Sequence, residues 1–203
     1  GLILLSGWDK KSHFVDGMCG SGTFLVEAAM IGANIPANIN REHFAFQDWP
    51  DYDEALWHLI RSSQLNRAQD CYGRIIGYDL NPDTVASAKL NIANSGLEDY
   101  IEIHCENFFE TKKPEGPTHL VFNPPYGVRI QGDIPEMYKS IGDTLKKNYS
   151  GAEAWFLTSH IDALKHVGLR ASRKIEIYQA KLECRFVKYE MYQGSKKMKY
   201  KQV

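Results

Sequence analysis

The stretch "HFVDGMCGSGTF", residues 13 to 24, decides the fold of this 203-residue chain. Its first four residues are typical of a short buried strand, and three glycines then precede an apolar segment of helical composition. Glycine permits a sharp turn and removes the Cβ atoms that would keep a ligand away from the backbone. The stretch therefore predicts a strand, a turn and a helix, with a ligand held against Gly17, Gly20 and Gly22. A tight turn without a ligand is the alternative, because the spacing G-x-x-G-x-G departs from the dinucleotide fingerprint.

On both sides of this stretch, apolar runs of strand length alternate with longer segments of helical period, which predicts an α/β domain with a mainly parallel sheet. The predicted strands cover residues 13–16, 74–79, 100–104, 119–122 and 154–159, and an antiparallel pair follows at 173–180 and 181–192. The predicted helices cover residues 22–33, 53–68, 82–94, 135–147 and 160–167. Residues 34–73 form an extra segment that is far longer than the usual connection between a helix and a strand.

Length and composition predict one domain, residues 1–203, with a sizeable core, because 43% of the residues are hydrophobic. The four cysteines form no C-x-x-C pair and no metal spacing with histidine, so we expect neither a metal site nor disulfides. No run of about 20 apolar residues predicts a membrane span, and no signal peptide is recognised. These features predict a cytoplasmic protein without a membrane partner. The first residues, "GLILLSGW", are typical of a helix entered partway, so we expect a piece of a longer protein.

Charge is unevenly distributed along the chain. The net charge of −1 divides into +7 for residues 170–203 and −8 for residues 1–169. A basic C-terminal part suggests contact with nucleic acid phosphates, and a solvated tail is the alternative. Arg129 is open to the same two interpretations, since it could meet a phosphate or pair with Asp133.

A nucleotide-like ligand is indicated at the ends of the second and third strands. Asp79 ends the second strand, where a carboxylate can accept both hydroxyls of a ribose, and Leu80 follows it in the same predicted site. Asn107 and Phe108 come just after the third strand and would suit the edge and the face of an adenine. Phe108 could equally be a core aromatic.

The stretch "VFNPPYG", residues 121 to 127, ends the fourth strand abruptly. Pro124 and Pro125 fix the backbone, so that the side-chain oxygen of Asn123 and the carbonyl of Pro124 point in set directions. Two such acceptors could hold the planar amino group of a base and stabilise the positive charge that grows on its nitrogen during methyl transfer. Tyr126 could stack on the base. In a doubly wound sheet the first and fourth strands are neighbours, which predicts one crevice for cofactor and substrate.

On these motifs, the chain resembles a class I S-adenosylmethionine-dependent methyltransferase. Within that class it is similar to the catalytic domain of the bacterial guanine-N2 methyltransferases of large-subunit ribosomal RNA, a family once labelled N6-adenine DNA methylases. The similarity extends over nearly the whole chain. It is carried by "DGMCGSGTFLVEAA", "NPPYGVRI", "REHFAFQDWPDYDEALW", "MYKSIGDTLKKNYSGAEAWFLTS" and "KIEIYQAKLECRFVKYEMY".

This resemblance implies a Rossmann-like sheet of seven strands in the order 3-2-1-4-5-7-6 with the last strand antiparallel. It implies S-adenosylmethionine as the cofactor, with Asp16 and the three glycines at its methionine end, Asp79 at the ribose and Asn107 at the adenine. The family's catalytic turn matches Asn123, Pro124, Pro125 and Tyr126. Family members carry an upstream THUMP-type RNA-binding module, which this chain lacks. Two departures are an asparagine at 107 in place of aspartate and Gln179-Ala180 in place of Asn-Gly.

Three functions remain open at this point. The favoured one is methylation of guanine N2 in 23S ribosomal RNA. An Asn-Pro-Pro-Tyr turn also serves adenine-N6 methyltransferases of DNA or RNA and glutamine-N5 methyltransferases of proteins. A nucleotide-binding assembly factor without catalysis would need the glycine-rich pocket but not Asn123. The oligomeric state is left undetermined.

Overall fold

A computed structural model describes residues 1–125 and 133–192 of the chain. Seven strands form one sheet in the order β3-β2-β1-β4-β5-β7-β6, as the resemblance implied. The strands are β1 His13–Asp16, β2 Ile75–Asp79, β3 Ile101–Cys105, β4 Thr118–Phe122, β5 Glu153–Thr158, β6 Arg173–Gln179 and β7 Leu182–Glu190. The first five strands run parallel, and β7 pairs antiparallel with both β5 and β6.

Five α-helices and three 3-10 helices lie among the described residues. The α-helices are α1 Leu2–Ser6, α2 Thr23–Gly32, α3 Glu54–Leu65, α4 Pro82–Ser95 and α5 Ile134–Asn148. The 3-10 helices are Ala45–Asp48, Phe108–Glu110 and Ile161–Val167. Within these ranges, no helix has both the length and the apolar character that a membrane crossing requires.

The sheet separates two hydrophobic clusters, because successive strand residues point to opposite faces. Val15 packs on the side of α5, whereas its neighbour Phe14 packs on the side of α1, α2 and α4. The same alternation continues in β5, where Phe156 faces α5 and Trp155 faces the other helices. Strands buried on both faces explain why the sequence has continuous apolar runs there.

The helix predicted at 160–167 is present at Ile161–Val167, as a 3-10 helix. This helix packs against α5 at Gly142, where an added Cβ would lie 1.8 Å from the carbonyl oxygen of Val167. Close approach to α5 therefore depends on a glycine that the periodicity of α5 does not reveal.

The extra segment between α2 and β2 has its own small aromatic cluster. Phe44, Phe46 and Trp57 pack with ring centroids 5.0–5.5 Å apart, and Tyr52 contacts Phe46. Asp53 caps α3 by accepting a hydrogen bond from the Leu56 amide at 2.9 Å. These local contacts explain how the segment can fold although α3 has no fully buried residue.

Candidate active site

The residues singled out from the sequence lie at the carboxyl ends of neighbouring strands. Strand β1 lies between β2 and β4, and Val15 of β1 is in register with both Ile76 and Leu120. The glycine-rich turn after β1 and the Asn-Pro-Pro turn after β4 therefore leave the sheet at the same edge, side by side. Ligands of doubly wound sheets bind at this kind of switch point.

Backbone and side-chain hydrogen bonds hold the glycine-rich turn in place. The Cys19 amide donates to the carbonyl of Tyr78 at 2.9 Å. The Gly20 amide donates to a carboxylate oxygen of Asp79 at 3.0 Å. From the other side, the Asn91 amide group donates to the carbonyl of Ser21 at 3.0 Å. Strand β2 and helix α4 thus position a turn that glycine alone would leave flexible.

Two glycines of the turn adopt backbone conformations that other residues disfavour. Gly20 has a φ of +54° and Gly22 a φ of +82°. Gly17 is required for a different reason, because an added Cβ would lie 2.5 Å from the ring of Phe108. The turn therefore depends on glycine at all three positions. We call this turn, residues 17–22, the cradle.

Asp16 is almost fully buried at the base of this cradle, with 2% of its surface exposed. One of its oxygens accepts a hydrogen bond from the Met18 amide at 3.2 Å. Burial raises the pKa of Asp16 to about 8, and the nearby carboxylate of Asp79 acts in the same direction. A cation placed in the cradle would favour the ionised form of the Asp16 carboxyl.

Asp79 ends β2 with both carboxylate oxygens turned toward backbone amides. The oxygen that does not bond Gly20 accepts from the Asn81 amide at 2.9 Å. Leu80, between them in sequence, is 69% exposed and offers an apolar surface beside the cradle. An acid next to an exposed apolar side chain suits the ribose and the base of a nucleoside.

The residues after β3 have other roles in the local structure. The Asn107 side chain caps the 3-10 helix Phe108–Glu110 by accepting from the Phe109 amide at 3.1 Å. Phe108 is 3% exposed and packs between Phe122 and Tyr149 in the core. Phe108 contacts the cradle from the core side, at Gly17. This position agrees with the alternative interpretation of the sequence, in which Phe108 is a core aromatic. The adenine contact of Asn107 and Phe108 stays a prediction.

The turn predicted to be catalytic begins where β4 ends. Asn123 is half-buried and Pro124 is buried, whereas Pro125 is exposed. Tyr126 and Arg129 lie outside the described residues. The structure thus brings the first three residues of the predicted turn to the cradle's edge of the sheet.

Asn91 is a site residue that the sequence interpretation missed. It lies three positions after Ala88, whose Cβ is 3.4 Å from the place where a Cβ on Gly22 would be. Since residues three apart share a helix face, the helical period of α4 could have indicated that Asn91 faces the turn. Within the described ranges, no group of three or more His, Cys, Asp or Glu residues is placed to hold a metal ion.

A family model described as UPF0020, RMKL-like, methyltransferase domain, matches residues 1–188. The chain belongs to this family. Among the curated members it is similar to the ribosomal RNA large subunit methyltransferase K/L of Shewanella sp. strain MR-4, with 32% identity over 201 residues. That alignment covers 96% of this chain and 28% of the Shewanella protein, so the chain spans less than a third of that relative's length.

Two solved structures resemble this RMKL-like methyltransferase domain closely. The SMU.472 protein, crystallised in complex with SAH, is 34% identical with a TM-score of 0.87, over 96% of this chain and 52% of that one. A Listeria monocytogenes protein described as a predicted N6-adenine-specific DNA methylase is 28% identical with a TM-score of 0.80, over 96% and 50% of the two chains. The RMKL-like assignment therefore rests on sequence and on fold together.

Proposed function

We propose that this domain transfers a methyl group from S-adenosylmethionine to the exocyclic amino group of a nucleobase, guanine N2 in 23S ribosomal RNA. The observation that carries the proposal is the adjacency of the glycine cradle after β1 and the Asn-Pro-Pro turn after β4. The description of the Shewanella relative supports ribosomal RNA as the substrate.

The residues of the cradle fit S-adenosylmethionine as the cofactor. Gly20 leaves the backbone open to close approach, since nothing lies within 4 Å of an added Cβ there, while Gly17 and Gly22 allow the turn its shape. The carboxylate of Asp79 can accept from the ribose hydroxyls, and Asp16 lies where it can balance the positive charge of the methionine part. The SAH found in the SMU.472 complex supports this choice.

When bound, S-adenosylmethionine supplies an electrophilic methyl group on a sulfonium, and the amino nitrogen of the base accepts it. The side-chain oxygen of Asn123 and the carbonyl of Pro124 would accept the two hydrogens of that amino group. The new N–C bond would form as the sulfur–methyl bond breaks and SAH is left as a neutral thioether, so positive charge would pass to the nitrogen, where these fixed oxygens would stabilise it without reorganising. The nitrogen then releases one proton to solvent. Tyr126 would hold the extruded base by stacking, worth about 1–3 kcal/mol.

The proposal is tested by mass spectrometry of ribosomal RNA nucleosides after incubation with the intact protein and isotopically labelled S-adenosylmethionine. We expect labelled N2-methylguanosine in 23S RNA taken from cells that lack the gene. Transfer to no RNA substrate would contradict the proposal. The same reaction with Asn123→Ala is the control for contaminating methyltransferases.

Adenine is the second candidate, favoured by the description of the Listeria neighbour. Labelled N6-methyladenosine in place of N2-methylguanosine would establish it, and label in protein glutamine would indicate the remaining alternative. A non-catalytic assembly factor would bind the cofactor yet transfer no label to any of these substrates.

A further inference from the structure

Two open cavities among the described residues, both outside the active-site cleft, differ in their charge. One, of about 450 Å³, is lined by Asp9, His119, Glu153 and Glu190 among others. The second, of about 520 Å³, is lined by Lys165, Arg170 and Lys174 with one acid, Asp162. We call the second the basic cavity. An anionic ligand would be repelled by the first and attracted by the second.

The cations of the basic cavity are available to a ligand. Lys165, Arg170 and Lys174 are exposed, and none of them forms an ion pair within the described part of the chain. By contrast, Arg185 and Lys188 on β7 each bind two carboxylates. The three cations of the cavity therefore keep positive charge that no ion pair among the described residues neutralises.

Apolar side chains line part of the basic cavity, beside a larger polar surface. Leu164, Leu169 and Ala171 line it, and they are half-buried against the core beneath α5. Cations beside apolar side chains suit a ligand that offers both phosphates and carbon-rich sugar or base surfaces. A chain of nucleotides has this combination.

The position of the cavity relates it to the catalytic turn. One wall is the helix 161–167, which follows β5, and the other includes Lys174 of β6. Strands β5 and β7 separate β6 from β4, so three strand spacings, or about 14 Å, lie between the cavity wall and β4, the strand that Asn123 follows. RNA whose target base enters the cleft would carry its flanking nucleotides across this surface.

We propose that the basic cavity binds the sugar-phosphate backbone of substrate RNA beside the methylated nucleotide. This inference rests on the proposed function for its substrate class, and it adds a second contact site that orients the RNA. Lys165, Arg170 and Lys174 are positioning residues, since they touch the substrate away from the reacting atoms.

The test compares two triple variants of the intact protein that remove equal charge. The cavity variant carries Lys165→Gln, Arg170→Gln and Lys174→Gln. The matched control carries Lys10→Gln, Lys89→Gln and Lys112→Gln, which are exposed cations elsewhere on the domain. Fluorescence anisotropy with a labelled 23S RNA fragment gives affinity as a function of salt, and methyl transfer gives KM and kcat. Both variants should keep the wild-type melting temperature and SAH affinity.

We expect the cavity variant to reduce the slope of log affinity against log salt by about 2 to 3, since each neutralised phosphate contact adds somewhat less than one. Its KM for RNA should rise by about tenfold or more while kcat stays near wild type. The control variant should change neither quantity by a comparable amount.

Several outcomes would overturn the assignment. If the wild type binds RNA and both variants keep its salt slope, the basic cavity does not bind RNA, and the proposed function still stands. Equal loss in both variants would indicate a general charge effect. If poly-glutamate competes for the basic cavity as well as RNA does, the cavity binds an acidic protein instead. RNA binding intact without methyl transfer to any base would reject the proposed function alone.

Discussion

The Asp79 carboxylate accepts a hydrogen bond of 3.0 Å from the backbone amide of Gly20, 59 positions earlier in the chain. This bond joins the end of β2 to the turn after β1, at the place where the cofactor is proposed to bind. Asp79 fixes the cradle, and the proposed function gives its carboxylate a second role at the ribose of the cofactor. Both roles depend on its charge.

Replacement of Asp79 by alanine should weaken cofactor binding. Hydrogen bonds to a charged group contribute about 1.5–3 kcal/mol each, so the Kd for SAH should rise by about 10- to 100-fold. Calorimetry with SAH and with NAD measures this. Binding of NAD alone by wild type would contradict a methyl-donor site, and unchanged SAH affinity in Asp79→Ala would remove Asp79 from it.

Gly17→Ala should destabilise the domain. Its Cβ would lie 2.5 Å from the Phe108 ring, which Phe122 and Tyr149 hold from other sides. Overpacking of this kind costs about 1–3 kcal/mol, so the melting temperature should fall by at least about 2 °C. Gly1→Ala is the matched control, since nothing lies within 4 Å of its added Cβ. Equal melting temperatures for the two variants would show that Phe108 does not restrict this position.

Asp16→Asn should stabilise the protein without ligand, and increasingly so as the pH rises. The folded-state pKa is raised to about 8 by burial, with the Asp79 charge adding to it and Cys19 nearby. The folded state therefore holds a proton that the unfolded chain loses above about pH 4. The stability of the wild-type protein should fall as the pH rises from about 4 to about 8 and level off above that. The difference in the free energy of unfolding between the variant and the wild type should grow by up to about 1.4 kcal/mol per pH unit in this window.

Urea unfolding of both proteins at pH 5, 7 and 9 measures this difference. A difference independent of pH would mean that Asp16 ionises normally in the folded state. The same variant should bind SAH more weakly, because the asparagine cannot balance a positive charge. A variant that is more stable but binds less well is expected where a site is strained for function.

Asn123→Ala should affect the transition state more than binding. Its oxygen is proposed to gain most as positive charge grows on the attacked nitrogen, so kcat should fall by about two to three powers of ten while SAH affinity is kept. Tyr126→Ala should instead raise KM for RNA, because stacking holds the base. Single-turnover methylation of 23S RNA separates the two effects. Wild-type rates in Asn123→Ala would refute the proposed role.

Ala180→Gly should stabilise the β6–β7 hairpin. Ala180 has a φ of +54° in the two-residue turn between Gln179 and Leu182, a conformation that costs a residue with a Cβ about 1–2 kcal/mol. The greater freedom of glycine in the unfolded chain offsets part of this gain. A net gain of up to about 1 kcal/mol would raise the melting temperature by about 2–4 °C. Ala171→Gly, outside the strands, should give no increase, and a lower melting temperature for Ala180→Gly would contradict the strain.

The sequence predicted the strands and most helices within one or two residues, because period and turn residues are local properties. His13–Asp16 was predicted with the observed bounds, and the antiparallel pair after β5 was also confirmed. The helix at 160–167 was also confirmed, but its close packing against Gly142 of α5 was not predicted, because that contact joins distant parts of the chain. The predicted contacts at Tyr126 lie outside the described residues.

The sequence by itself determined the order of elements, the glycine cradle and the stiff turn after β4, because backbone freedom is set by the residues at each position. Only the tertiary structure decided what these elements meet. It placed Phe108 beneath Gly17, and it gathered Lys165, Arg170 and Lys174 around one cavity. Burial and charge environment depend on which distant segments pack together, and no local pattern in the chain encodes that.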